Sequence, residues 1–136
     1  MAKSTAPSKC CMDVEKALLA TNLVATLGFA APAVLAPRKW HKLCFVEGHP
    51  RNDEMTQFCA VAMAAVGAMG QIMANTSDKK AKKDTLKALG AAWSTSTALQ
   101  ANSLRRGIQR KEMGIAVTTV QGAMAATFLW AGFRKG

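Results

Sequence analysis

A chain of 136 residues has room for one domain and little more. Its formal charge of +10 would suit a nucleic-acid binder if the cations formed one stripe, but Lys and Arg fall in every connection between apolar runs, which argues against that partner. Basic loops facing lipid headgroups or an acidic protein explain the charge with fewer assumptions.

The charges are segregated. Ala17 to Pro37, Met55 to Ser77, Ala88 to Leu104 and Met113 to Phe133 contain no Asp, Glu, Lys or Arg, over 21, 23, 17 and 21 residues. A hydrocarbon core about 30 Å thick needs roughly 20 helical residues. A soluble bundle would carry charges along one face of each helix, and these stretches have none. The expected fold is all-α, an integral membrane four-helix bundle in a single domain, 1–136. Its spans are expected at about 14–37, 55–76, 85–104 and 112–133.

In chain order, residues 1–12 read as a flexible tail. With Asp13 and Glu15 and no arginine, Met1 to Lys16 makes a poor organelle presequence and is expected to be retained. Asp13 and Glu15 suit the positive end of a first helix in which Asn22 faces neighbours, Pro32 bends the last turn and Pro37 ends it. Arg38 to Glu54 reads as a loop with Trp40 set among cations at a membrane interface, and Asn52, Asp53 and Glu54 suit the cap of the second helix.

That helix holds Ala60, Ala64, Gly67 and Gly70 at spacings that let backbones approach closely in lipid, so these residues are candidates for helix packing. Asp78 to Lys87, with five lysines, reads as a solvated hairpin loop. The third stretch is the most polar, with Ser94, Thr95, Ser96, Thr97, Gln100 and Asn102, and is expected to span only when packed. Gly107 suits the end of its helix. The fourth carries Gly114 and Gly122 for packing and closes on Trp130, Phe133, Arg134 and Lys135, an aromatic anchor followed by cations. Ten Lys and Arg fall on the side with both termini and eight on the other, too even a split to orient the chain.

No span carries an ionisable side chain, so proton pumping and ion-coupled transport are not expected, and no catalytic residue is assigned. His41, Cys44 and His49 form a weak ligand pattern, and Cys10 and Cys11 lie one span away, so no metal site is assigned either. That adjacent pair could carry an acyl chain if it faces the cytosol. Met55, Met63, Met69 and Met73 read as flexible packing. His41, His49, Gln57, Gln71, Asn75, Gln100, Asn102 and Gln121 can ligate a chlorophyll magnesium or hydrogen-bond a quinone or lipid headgroup, against the simpler reading of helix-to-helix bonds.

The four-span plan, with Glu47-Gly48-His49-Pro50 running to Asn52-Asp53-Glu54-Met55-Thr56-Gln57-Phe58 at the start of the second helix, resembles small DoxX-like membrane proteins. The resemblance is architectural and transfers no functional residue. The expected role is an accessory, non-catalytic subunit of a large energy-transducing complex, a photosystem or respiratory assembly, in the thylakoid or mitochondrial inner membrane. Its expected partners are the other membrane subunits and lipids, with chlorophyll, carotenoid or lipid held jointly with neighbouring subunits. The alternatives are a free-standing DoxX-like protein binding a quinone, thiol or lipid at the polar third helix, and a small oligomeric channel or carrier lined by Ser94 to Thr97.

Overall fold

A computed structural model describes residues 13–134, so the tail, including Cys10 and Cys11, lies outside the described residues. Among these every regular element is a helix: α1 (Val14–Leu35), α2 (Pro37–Cys44), α3 (Asp53–Ala74), α4 (Lys79–Arg105) and α5 (Lys111–Phe133). α1, α3 and α5 are each long and apolar enough to cross a membrane, as an integral membrane protein requires.

The helix ends follow local chemistry. Asp13 caps α1 by accepting from Lys16 N, Asn52 caps α3 through Met55 N, and Asp78 caps α4 through Lys80 N and Ala81 N. Pro32 is carried inside α1, and the chain breaks at Ala36, whose backbone is pushed out of the helical region by the proline that follows. Pro37 therefore opens α2 rather than closing α1, its missing N–H costing nothing at a first helical position. Much of the expected loop 38–54 is thus a helical turn pair. Trp40 packs edge-on against Phe29 of α1, with ring centres 6.2 Å apart, while Arg38, Lys39 and Lys42 stay exposed.

The expected hairpin loop Asp78 to Lys87 is corrected more fully. Once Asp78 caps Lys80 and Ala81, the lysines continue a helix, and α4 starts at Lys79 rather than near 85. Lys82 points inward, 7% exposed, and pairs with Asp13 at 2.9 Å. Only residues 75–78 remain as a connection. At the other end of α4, Gly107 has φ +68, the left-handed conformation that a tight α4 to α5 turn demands.

The four long helices run alternately up and down. Gly67 and Gly70 of α3 face Thr26 and Asn22 of α1 in reverse order, and Gly90 and Gly114 face Leu129 of α5 and Leu104 of α4 likewise. Two closely packed pairs result, α1 with α3 and α4 with α5. At the end holding Asp13 and Arg134 the pairs are joined by a core of large side chains, with Leu19, Leu86 and Phe128 fully buried beside Trp93. Trp93 Nε1 donates to Asn22 Oδ1 at 2.9 Å across the pairs. At the α2 end the buried cluster shrinks to Ala30, Ala33 and Ala60. Small side chains there cannot fill the space between the pairs.

Candidate ligand-binding site

That unfilled space is a cavity of about 390 Å³. Alanines and a proline-broken helix make it: α1 contributes Phe29 and Ala33, and α2 folds back to roof it with Trp40, His41 and Cys44. α3 contributes Met55, Cys59, Ala60 and Met63, while α4 and α5 contribute Gln100, Met113, Val117 and Gln121. Met55 and Cys59 are surface residues, so the cavity opens at the α3 side. The roof is held shut by two loops bonded to one another, Val46 N to Ile108 O at 3.1 Å and Arg110 N to Cys44 O at 3.0 Å.

The walls differ in chemistry. One is apolar and rich in sulfur and aromatic carbon, from Phe29, Trp40, Met55 and Met63. The other carries amides: Gln100 Nε2 donates to Gln109 Oε1 at 2.7 Å, and Gln121, 8% exposed, has an Oε1 with no partner in the chain. Gln121 sits ten positions into α5, about 15 Å below its start by helical rise. That oxygen is sealed off by its neighbours, so it is the rest of the Gln121 side chain that lines the cavity.

Rings line the roof. Phe45 stacks on His41 and His49 with centres 4.8 and 4.9 Å apart, and His41 Nε2 lies 3.3 Å from Pro50 O. Beyond the stack a second recess of about 410 Å³ is lined by Lys42, Glu47, Arg51 and Arg110. Burial pushes the Cys44 thiol up to about 11, so it stays neutral and apolar near neutral pH. Among the described residues no three His, Cys, Asp or Glu side chains gather closely enough to hold a metal ion.

Of the sequence-derived ligand candidates, His41, His49, Gln100 and Gln121 meet at this cavity. The other four lie elsewhere. Gln57 donates to Val34 O at 3.1 Å, tying α3 to α1. Gln71 is half-buried with a free Oε1, Asn75 bonds back to Gln71 O, and Asn102 accepts from Arg105. Gln109 was missed because it sits in a short loop whose pairing with Phe45 is tertiary, and Trp40 was read only as an interface anchor because α2 read as a loop. Among the packing candidates, a side chain on Gly67 would fall on Thr26, and one on Gly114 would come within 2.7 Å of Leu104 Cδ1. Gly122 has ordinary space, its nearest neighbour Thr97 Cγ2 at 3.7 Å. Ala60 is buried and Ala64 packs beside it. A Cβ added at Gly90 or Gly132 would come within 3.0 Å of a backbone nitrogen, of Leu129 on α5 and of Lys87 on α4 respectively.

No family model, curated protein sequence or solved structure matches this chain.

Proposed function

We propose that this chain is a non-catalytic integral membrane protein whose four long helices all span the bilayer and whose cavity holds a small apolar molecule with hydrogen-bonding groups along one edge, of quinone or lipid type. One observation carries the reading: at the α2 end the helix pairs leave a cavity of about 390 Å³ with an apolar, sulfur- and aromatic-rich wall facing the amide side chains Gln100, Gln109 and Gln121. Pockets for small molecules pair an apolar lining with a few placed polar groups, as here.

α4 completes the bundle as a fourth span. Its exposed residues from 88 to 101 are alanines apart from Thr95 and Leu99, and the Thr95 hydroxyl bonds back to Ala91 O at 3.0 Å. Ser94 and Thr97 likewise bond to Gly90 O and Trp93 O, which leaves few free hydroxyl hydrogens to line a channel.

The test is recovery of the ligand. Protein purified from its own membranes in mild detergent should yield one small molecule near unit stoichiometry by solvent extraction and mass spectrometry, and Met63→Trp should lose it while keeping its helicity. Folded protein that retains nothing and takes up nothing saturably from a panel of quinones and lipids would end the proposal.

A second reading, an accessory subunit of an energy-transducing complex, draws on the same α4 face, whose alanines would let another subunit's helix approach closely. Native sizing after gentle extraction tests it: co-migration with a pigmented or haem-containing complex is expected, and a discrete small species would count against it.

A further inference from the structure

We propose that the cavity is loaded sideways from the bilayer, through a gap between α3 and the α4–α5 pair, so that its ligand is a membrane-dissolved molecule and not one arriving from water. The proposal rests on the bilayer placement and the binding cavity argued above, and adds the route and with it the class of ligand.

Three observations lead there. The first is where the helices fail to meet. Among the described residues α2 approaches α1, α3 and α5, but no Cα of α2 lies within 8 Å of one in α4, and none of α3 within 8 Å of one in α5. α3 and α4 do meet at the opposite end, where Gly70 faces Leu89 Cδ1 and Ala74 joins Leu86 and Leu89 in one cluster. The cluster at the α2 end draws on α1, α2 and α3 alone. There α4 is held instead to α5 and the turn before it, by Gln100 on Gln109 and by Leu104 beside Gly114. The side between α3 and this pair is left open.

The second is the closed end. Val46 N to Ile108 O and Arg110 N to Cys44 O tie the loop after α2 to the turn before α5, and the Phe45 ring stacks on His41 and His49. Backbone bridges that end, whereas nothing comparable bridges the side. The third is the level of the gap. Cys59, an exposed residue of the cavity wall, lies six residues beyond Asp53, about 9 Å deeper at helical rise. Its neighbours Phe58 and Val61 are 73% and 59% exposed, an outer surface suited to acyl chains. A gap at that level opens to hydrocarbon, where charged groups are costly to bring.

The route is read without any ligand, by the collisions of a nitroxide. In a chain whose four cysteines are replaced by alanine, Met63→Cys is spin-labelled and placed in phosphatidylcholine nanodiscs. It is exposed to oxygen, which concentrates in hydrocarbon, and to a water-soluble nickel chelate, which the dry bilayer interior excludes. Val61→Cys on the outer face of α3 and Val46→Cys at the roof supply the lipid and water references. The oxygen-to-nickel collision ratio at Met63 should match that at Val61 and exceed that at Val46 severalfold. Val117→Cys, on the α5 wall, gives the same reading where a label at Met63 disturbs α3.

A ratio like that of Val46 at the cavity positions would show filling from water and overturn the route. Few collisions with either reagent would show a sealed space and overturn it as well. A Val61 reference that collides mainly with nickel would overturn the bilayer placement itself. Ligand recovery reads binding independently, so failure of the route and failure of the site are told apart.

Discussion

Among the described residues, Asn22 and Trp93 carry the one buried side-chain hydrogen bond between the two helix pairs, and Asn22 Nδ2 has no partner there. Replacing Asn22 with Leu should destabilise the folded protein by about 1–3 kcal/mol in detergent unfolding, because the Trp93 N–H is then buried unpaired. Adding Trp93→Phe should cost less than the sum of the two single changes, as expected for residues in contact. Additive losses would show that the bond contributes nothing. The sequence marks Asn22 as inward-facing, since an amide in a span needs a protein partner, but which residue answers it depends on bringing α1 against α4. Cys44 makes a similar point about reactivity: with its thiol held near 11, iodoacetamide labelling in the folded state should stay slow until the pH approaches that value, and should accelerate at neutral pH once SDS unfolds the chain. Cys10, Cys11 and Cys59 are replaced by Ser so that one thiol is read. Rapid labelling of folded protein at pH 7 would contradict the buried placement.

At the scale of elements, glycines in the same helix pair have opposite meanings. A side chain at Gly90 meets Leu129, including its backbone nitrogen at 3.0 Å, so Gly90→Ala should force α4 away from α5 and destabilise the pair, by about 1–3 kcal/mol as overpacking typically does. At Gly122 the neighbour is at an ordinary 3.7 Å, and Ala should stabilise by roughly 0.5–1 kcal/mol through helix propensity. Both are read by thermal unfolding in the same micelle, and matching effects would refute the close approach. The charge-free runs marked α1, α3 and α5 to within a few residues at most ends, since an uncharged apolar stretch bounded by capping residues has little else to become in lipid. They misplaced the start of α4, because lysines read as solvated when counted by composition, whereas an Asp cap at 78 lets them begin a helix with their stems along its surface. They hid α2 as well, since a basic eight-residue helix is too short for periodicity to reveal and depends on Trp40 docking against Phe29.

Across the whole molecule, the end that joins the termini is locked by charge. Asp13 lies next to Lys82, whose hydrogen bond, with help from the Lys16 backbone N–H, holds the Asp13 carboxyl below its ordinary 3.8. A carboxyl lowered by folding adds stability above about pH 4, and that contribution is lost as the pH falls through the lower folded value. Unfolding followed between pH 6 and pH 2 should therefore show an acid-sensitive component that Asp13→Asn removes; identical profiles would sink the linkage. Half of the ligand candidates named from sequence, His41, His49, Gln100 and Gln121, converge on the cavity, and half do not, because helical phase and depth decide which amide faces inward and composition records neither. The amino-acid sequence alone determined that this is a helical chain with runs made for a bilayer, for hydrophobic length and the placing of charge are local properties that survive without neighbours. Tertiary structure alone decided that the helices pack as two pairs, that the core fades from Leu, Trp and Phe to Ala towards the α2 end, and that the space so opened is lined by the amides of Gln100, Gln109 and Gln121 on one side. A cavity is a failure of packing between distant segments, and no stretch of sequence contains both of its walls.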